Sequence, residues 1–191
     1  MIGEIAMQEF SKNMESSLMK LARNMDLNTS IVDLDKPVVN DVNKEKSRIY
    51  LITRNESLEN TVHPITGVPF ERKTIMNENG EMIEGVFPNF ESIFDAKIPE
   101  ELYGESDKKQ FKYCNEQLYE AIENNPDLKK QFSEEQLEQI KEGLTDGTAP
   151  DGYVWHHDAE CGKIQLVEYN THAQTGHTGG RVVWGGGNDN R

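Results

Sequence analysis

Four of the chain's five histidines lie within 22 residues near the C-terminus: His156, His157, His172 and His177. Imidazole is the most common protein ligand for transition metals, and it is also the side chain best suited to accept a proton near pH 7. An adjacent histidine pair followed by two histidines around glycines supplies what a one-metal site for phosphodiester cleavage needs. The cluster therefore predicts a metal centre with a general base beside it.

The residues around the histidines predict a strand–turn–strand–helix unit. Residues 153–155 and 164–167 have the composition of short strands, and Asn170 is a suitable N-cap for the helix that carries His172. Neighbouring side chains of a strand point to opposite faces. One of the two adjacent histidines can therefore bind a metal ion while the other faces substrate, an arrangement that suits a nuclease.

The segment before residue 105 predicts β structure. Residues 48–53 (RIYLIT) form a plausible short strand, and residues 62–90 are rich in turns between β-prone runs. Within them, Asn79-Gly80 is the strongest hairpin indicator in the chain.

Beyond about residue 105 the spacing of apolar residues changes from two to about 3.6, which predicts helices. Ser106 is expected to cap a helix that ends before Pro126. Ser133 and Gln136 form a capping box for the next helix, which is expected to end near Gly143. The predicted fold class is α+β, with β-rich and helical segments around the C-terminal unit.

Two parts are predicted along the chain. Residues 1–47 combine an amphipathic helix, with apolar residues spaced three and four apart between Ile2 and Met25, and a polar linker. Residues 48–191 form one domain, which contains the histidine unit at 153–177. No apolar run reaches about 18 residues, so no membrane span is expected, and the acidic N-terminal residues predict no cleavable signal peptide.

The charge argues against a protein that coats nucleic acid. The net charge is −14, whereas binding along a duplex rests on lysines and arginines that neutralise phosphates. Residues 1–152 carry −13 of this charge and residues 153–191 only −1. The histidine segment is therefore nearly neutral before any metal binds, and the acidity elsewhere suits a basic protein partner. Cys114 and Cys161 are too few for a disulfide framework and are expected to be reduced thiols.

The motifs WHHD at 155–158, GKIQLV at 162–167 and GHTGG at 176–180 resemble the WHH branch of the HNH/endonuclease VII superfamily. Its members are nuclease domains at the C-termini of bacterial polymorphic toxins. Four upstream segments resemble the blocks that precede the metal-binding finger in secreted toxins of this kind: VHPITGVPF, GVFPNF, SDKKQFKYCN and PDGYVWHH. The resemblance covers roughly residues 60–187 and implies a ββα-metal (His-Me finger) core.

The resemblance also implies residue roles. His156 takes the place of the first metal ligand, His157 that of the general base, and His172 and His177 those of two helix-side ligands. The implied cofactor is one divalent ion. Imidazole ligands suit Zn²⁺ or Ni²⁺, whereas Mg²⁺ or Mn²⁺ could support turnover.

The implied function is that of a metal-dependent DNase toxin, an antibacterial effector that a cognate immunity protein neutralises. It would be secreted without a cleavable signal peptide and would act in the cytoplasm of a target cell. DNA rather than RNA follows from the resemblance alone.

The chain departs from the family pattern in two ways. The two helix-side ligands are expected four residues apart, but His172 and His177 are five apart, roughly 140° out of register on a regular helix. We therefore expect the helix to end near Gly176. Lys163 stands where an asparagine that orients the base is expected, so Lys163 or Gln165 could assist, and Lys163 joins His156 and His157 as a candidate catalytic residue.

Several neighbours of the histidines have two interpretations. Asp158 could accept a hydrogen bond from a ligand imidazole or form a turn. Arg181, with the backbone of Gly179 and Gly180, could bind a substrate phosphate, or the glycines could only permit a tight turn. Trp155 is expected in the core, and His63 in a turn beside Pro64.

Two other classes of function remain open. The histidines could hold a purely structural zinc ion in a non-catalytic module, although structural sites are generally closed and rich in thiolates. Alternatively, His157 and a second histidine could act as the acid–base pair of a metal-independent ribonuclease toxin.

Overall fold

The computed structural model describes residues 48–77 and 79–185. The predicted amphipathic helix and linker at 1–47 lie outside the described residues, as do residues 186–191.

The first sheet consists of four strands in the order β1-β4-β3-β2. Their bounds are β1 Arg48–Tyr50, β2 Thr61–Val62, β3 Pro69–Met76 and β4 Met82–Pro88. Strand β1 runs parallel to β4, and the other pairs are antiparallel. The strand predicted at 48–53 is thus confirmed over its first three residues.

The predicted hairpin at Asn79-Gly80 is confirmed, because β3 and β4 pair up to Met76 and Met82. Gly80 has a φ of +73°, a conformation that glycine adopts without steric cost. The Asn77 side chain closes the turn by accepting hydrogen bonds from the backbone N–H groups of Asn79 (3.1 Å) and Glu81 (2.9 Å).

The second sheet is antiparallel, with the order β5-β7-β6. Its strands are β5 Ser92–Lys97, β6 Tyr153–His157 and β7 Lys163–Glu168. The two predicted strands of the histidine unit are confirmed, and the first also includes both adjacent histidines. In the register of the sheet His156 pairs with Gln165 and His157 with Ile164, so the two imidazoles lie on opposite faces.

The described residues also contain four α-helices: α1 Asp107–Asn124, α2 Pro126–Lys129, α3 Glu134–Asp146 and α4 Tyr169–Thr175. The capping box of Ser133 and Gln136 is confirmed at the start of α3. The predicted end near Gly143 is wrong, since α3 continues to Asp146 and Gly147 caps it with a φ of +85°. Gly143 is instead a close-packing position, where a Cβ would lie 2.5 Å from Nδ2 of Asn115.

The main core lies between the second sheet and helices α1 and α3. It includes Trp155, Ile164 and Leu166 from the sheet and Cys114 and Leu118 from α1. Trp155 is buried, as predicted, and its Nε1 donates to Oδ1 of Asn115 (3.2 Å). The fold is α+β, and β6, β7 and α4 form the expected ββα unit.

Candidate functional site

Three of the four clustered histidines converge on one point. Nδ1 of His156 lies 3.3 Å from Nε2 of His172 and 3.2 Å from Nε2 of His177. The three nitrogens all lie within 4.8 Å of one another. A neutral imidazole has one ring nitrogen without a hydrogen, and that nitrogen offers a single lone pair. Nδ1 of His156 therefore cannot accept good hydrogen bonds from both neighbours. The arrangement instead offers three lone pairs to a cation.

The end of helix α4 reconciles the five-residue spacing with this convergence. The helix stops at Thr175, and Gly176 follows with a φ of +51°, so His177 leaves the helical path, as predicted. At the other end the predicted N-cap Asn170 is wrong. Glu168 caps α4, because its carboxylate accepts from the backbone N–H groups of Asn170 (3.0 Å) and Thr171 (2.6 Å).

A loop after β1 holds this turn from outside. Nδ2 of Asn55 donates to the carbonyl oxygens of Thr175 (3.0 Å) and Gly176 (2.6 Å). The backbone N–H of Arg54 donates to Oγ1 of Thr178 (2.8 Å). These groups lie about 120 residues from their partners in sequence, and no periodicity or motif identifies them in advance. Asn55 is thus a functional residue that sequence reasoning missed.

Phe90 forms an apolar wall behind the three imidazoles. Its ring centroid lies 4.8 Å from that of His156, 5.4 Å from that of His172 and 5.0 Å from that of His177. Burial lowers the pKa of all three histidines. For His177, burial together with the nearby His172 and Arg54 brings the pKa to about 3. The imidazoles are therefore neutral at pH 7, as metal ligands must be.

The donor set fits a divalent transition metal. Two imidazole nitrogens that each bind Zn²⁺ at about 2.0–2.1 Å with tetrahedral angles would lie roughly 3.3 Å apart. The two separations from Nδ1 of His156, 3.2 and 3.3 Å, agree with this value, and all three nitrogens lie within 4.8 Å of one another. His156, His172 and His177 could hold a metal ion of the kind that prefers imidazole ligands.

His157 has a different environment on the opposite face of β6. Its Nε2 lies 2.6 Å from Oε1 of Gln110, which is fully buried in α1. The guanidinium of Arg181 lies 3.4 Å from the same nitrogen and forms a close ion pair with Asp107. The rings of Phe111 and Trp184 flank the imidazole with centroid distances of 5.4 and 5.3 Å. The ring is therefore held in place by contacts on several sides.

One open cleft joins the two histidine environments. Its volume is about 640 Å³, and its lining includes His157 as well as the three converging histidines. Arg54, Thr178 and Gly179 also line it, as does the ion pair of Asp107 and Arg181. His157 and the candidate metal centre thus line one open cleft.

A family model described as the DNase/tRNase domain of colicin-like bacteriocin matches residues 79–179, more than half of the chain. The chain belongs to this family. The colicin-like domain is a nuclease of the toxin type that hydrolyses phosphodiester bonds in nucleic acid. The match includes the ββα unit and the upstream blocks from GVFPNF onward, which confirms the resemblance to HNH-type toxin nucleases.

No curated protein and no solved structure matches the chain. Within residues 48–77 and 79–185, none of the colicin-like domain's helices combines the length and apolarity that crossing a bilayer requires.

Lys163 lies outside the histidine cleft of the colicin-like domain. Its Nζ is 3.2 Å from Oδ2 of Asp95, and burial of the lysine is outweighed by this hydrogen bond and nearby acids, which raise its pKa. The side chain of Gln165 also contacts Asp95, since its Nε2 donates a hydrogen bond to Oδ1 of that residue (3.1 Å). The structure brings neither side chain to His157, so neither replaces the expected asparagine.

The carboxylate of Asp158 serves the turn between β6 and β7. It accepts from the backbone N–H of Glu160 (2.8 Å) and lies 3.7 Å from Nζ of Lys73. Among the described residues no hydrogen bond joins this carboxylate to an imidazole, so the turn interpretation is favoured. The predicted turn role of His63 is confirmed, since its backbone pairs with Val68 and Gly67.

The segment after His177 divides into an exposed and a buried part. Gly179 lines the cleft, whereas Gly180 is buried behind it, where a Cβ would overlap the carbonyl oxygen of Asp158. Arg181 is also buried and ion-paired. Neither Cys114 nor Cys161 forms a disulfide among the described residues, and Cys161 is not among the residues that converge with the imidazoles.

Proposed function

We propose that the protein is a metal-dependent endonuclease toxin that cleaves DNA in competing bacteria. The observation that carries this proposal is the convergence of His156, His172 and His177 in the same cleft as His157. The family supports a nuclease toxin, and the geometry adds a reason for metal dependence. When three neutral imidazoles converge, a cation is the best available partner for their lone pairs.

The three converging histidines would hold one divalent ion, and Phe90 would keep water from their apolar side. A bound ion would stabilise the charge that develops on the phosphate and on the leaving oxygen during cleavage. Burial keeps the imidazoles neutral and therefore ready to bind at physiological pH.

His157 would act as the general base that takes a proton from the attacking water. It lies next to a metal ligand in sequence but on the other face of the strand, so it can face the same cleft without joining the ligand set. A positioned base of this kind contributes about 10²–10⁴-fold to the rate.

The substrate phosphate would be held by Arg54 together with the backbone of Gly179. Arg54 is exposed at the cleft, and its guanidinium packs against Gly176, where a Cβ would lie 3.0 Å from it. Arg181 is a weaker candidate than its sequence position indicates, because phosphate would compete with Asp107 for the same guanidinium. Gly180 would support this segment by close packing. We assign no catalytic role to Lys163.

The two alternatives differ in what they require of the cleft. A structural zinc site is normally closed by four protein ligands, whereas these three histidines border an open cleft that also contains His157. A metal-independent ribonuclease needs only an acid and a base, and leaves the convergence of three imidazoles without a purpose. Both features favour metal-dependent catalysis.

The experiment is cleavage of plasmid DNA and of tRNA by the purified full chain, with chelator and after addition of Zn²⁺, Ni²⁺, Mg²⁺ or Mn²⁺. The expected result is cleavage of DNA that chelator abolishes and metal restores. Chelator-resistant cleavage of RNA would support the ribonuclease alternative, and metal-dependent cleavage of tRNA alone would change the substrate. No cleavage with any ion, despite one bound metal per chain, would indicate a structural site.

Such a toxin requires an immunity protein in the producing cell and acts in the cytoplasm of a target cell after delivery. The net charge of −14 favours an immunity protein with a basic binding surface. Expression of the chain in a bacterial cytoplasm should be lethal, whereas the His157→Ala variant should be tolerated. Equal toxicity of the two chains would contradict killing by nuclease activity.

A further inference from the structure

His157, the proposed base, contacts the side chain of Gln110 in helix α1. Gln110 lies in the first turns of α1, and none of its surface is exposed to solvent. Its Oε1 is 2.6 Å from Nε2 of His157, a short distance for a hydrogen bond between neutral groups. A buried amide that makes such a contact restricts which tautomer the imidazole can adopt.

The orientation of the Gln110 amide follows from its other end. Its Nε2 donates to the carbonyl oxygens of Leu102 (2.7 Å) and Tyr103 (2.8 Å), both in the turn that precedes α1. If the amide were rotated by 180°, Oε1 would face these two oxygens without any hydrogen between them. Two buried acceptor–acceptor contacts are strongly unfavourable, so Oε1 must be the atom that faces His157.

An amide oxygen only accepts hydrogen bonds, and Nε2 of His157 must therefore donate. Of the two charged groups nearby, Asp107 agrees with this assignment. Its carboxylate oxygen Oδ1 lies 3.8 Å from the same nitrogen and favours a hydrogen there. Arg181 can only donate, and its Nη1 lies 3.4 Å from both Nε2 of His157 and Oε1 of Gln110. The contact of 2.6 Å between Nε2 and Oε1 is much shorter, so it determines that Nε2 carries the hydrogen.

We infer that Gln110 is the positioning residue of the base and fixes His157 in the tautomer with hydrogen on Nε2 and the lone pair on Nδ1. The inference rests on the proposed role of His157 as the base. Water would transfer a proton to Nδ1, and the resulting hydroxide would form a bond to phosphorus. The bond from phosphorus to the leaving oxygen would break, and that oxygen would take a proton from solvent.

Gln110 thus provides the amide that the sequence pattern lacks at Lys163. A side chain 47 residues before the base, on a helix rather than in the ββα unit, performs the orienting role. The flanking rings of Phe111 and Trp184 hold the imidazole plane, and the amide then selects the nitrogen that carries the hydrogen.

The first test measures the tautomer directly in the metal-free full chain. Long-range ¹H–¹⁵N NMR of ¹⁵N-histidine-labelled protein distinguishes protonated from unprotonated ring nitrogens at mildly alkaline pH, where imidazoles are neutral. The signals of His157 are assigned with the His157→Ala variant. The expected result is a protonated Nε2 and an unprotonated Nδ1. A protonated Nδ1 in the wild-type protein overturns the inference, and this measurement requires no change at Gln110.

The second test uses Gln110→Met, which keeps the length of the side chain but removes its hydrogen bonds. We expect a mixture of His157 tautomers and a decrease in kcat of about 10–100-fold, with KM and metal stoichiometry unchanged. Gln117→Met is the matched control. Gln117 lies on the same helix, and its amide also bonds to backbone, at Lys97, but it should leave the tautomer and kcat unchanged.

The two measurements separate this inference from the proposed function. Protonated Nε2 in a chain that cleaves no nucleic acid would refute the nuclease mechanism and leave the role of Gln110 in setting the tautomer intact. Active enzyme with unchanged kcat in Gln110→Met would overturn the positioning role alone.

Discussion

The two strand histidines and the two histidines of the α4 segment reach the same cleft by different physical means. Strand β6 carries His156 and His157 in a paired sheet, where alternation assigns each imidazole to one face. The α4 segment carries His172 on a helix of seven residues and His177 on the turn beyond it. The position of His177 depends on Gly176 and on hydrogen bonds from the distant Asn55.

This difference indicates that the strand half of the site is determined locally and the helix half by tertiary contacts. Sheet register tolerates little change, because a slip of one residue would exchange the faces of both histidines. The turn after α4 has no such ladder. Substitution of His157 on the strand should therefore change chemistry, whereas substitutions around the turn should change metal affinity.

The largest expected effect separates the adjacent strand histidines. His157→Ala should decrease cleavage about 10²–10⁴-fold, because it removes a positioned base, while the chain still binds one metal ion. His156→Ala should lose both metal and activity. Metal analysis together with cleavage rates tests this. Metal loss in His157→Ala with retention in His156→Ala would mean that the two roles are exchanged.

The next effect concerns the two ligands of the α4 segment. His172→Ala and His177→Ala should each weaken metal binding by about 100-fold or more, since even the loss of a partner that only supports a ligand costs about 10–100-fold. Isothermal titration with Zn²⁺ and Ni²⁺ measures it. If His177→Ala bound metal like the wild type, the third ligand would have to be another side chain. The expectation that His177 is a ligand despite its five-residue spacing from His172 would then be wrong.

Sequence patterns predicted the elements well because their determinants are local. The capping box at Ser133, the Asn79-Gly80 hairpin and the strands of the ββα unit each depend on residues a few positions apart. Gly143 looks like a helix terminator in the sequence, because a glycine that is required for close packing with Asn115 cannot be distinguished there from one that ends a helix.

The groups that orient the site were not predictable in this way. Gln110, Asn55 and Phe90 act from outside the ββα unit, and each contacts histidines or their turn across long sequence separations. Nothing in their own neighbourhoods distinguishes them from ordinary core or loop residues. The resemblance indicates candidate ligands and a candidate base, but the tertiary fold determines which distant side chains contact them.

A smaller effect is expected where Asn55 holds the turn. Asn55 has a φ of +67°, so Asn55→Gly preserves the backbone conformation and removes only the side-chain hydrogen bonds to Thr175 and Gly176. Metal affinity should fall about tenfold, with kcat at saturating metal nearly unchanged. Asn60→Gly is the matched control, because Asn60 has a φ of +57° and is exposed. Equal affinity in the two variants would show that Gly176 alone positions His177.

A last expected effect concerns stability rather than activity, namely the dependence of stability on pH in the metal-free protein. Burial lowers the pKa of His156, His172 and His177, the last to about 3, whereas an unfolded histidine titrates near 6.5. Between these values the unfolded chain binds more protons than the folded one, so stability is complete above about pH 6.5 and decreases as pH falls. The loss is up to about 1.4 kcal/mol per pH unit for each such imidazole.

Thermal unfolding of the metal-free chain between pH 7 and about pH 5 tests this, because most carboxylates stay ionised there. The midpoint temperature should decrease toward pH 5, and the decrease should be shallower in His177→Asn, which removes one of the three buried imidazoles. Parallel pH profiles for the two chains would mean that folding does not lower the pKa of His177. The turn after α4 would then hold His177 less firmly than strand β6 holds His156. The hydrogen bonds from Asn55 to that turn argue against this outcome.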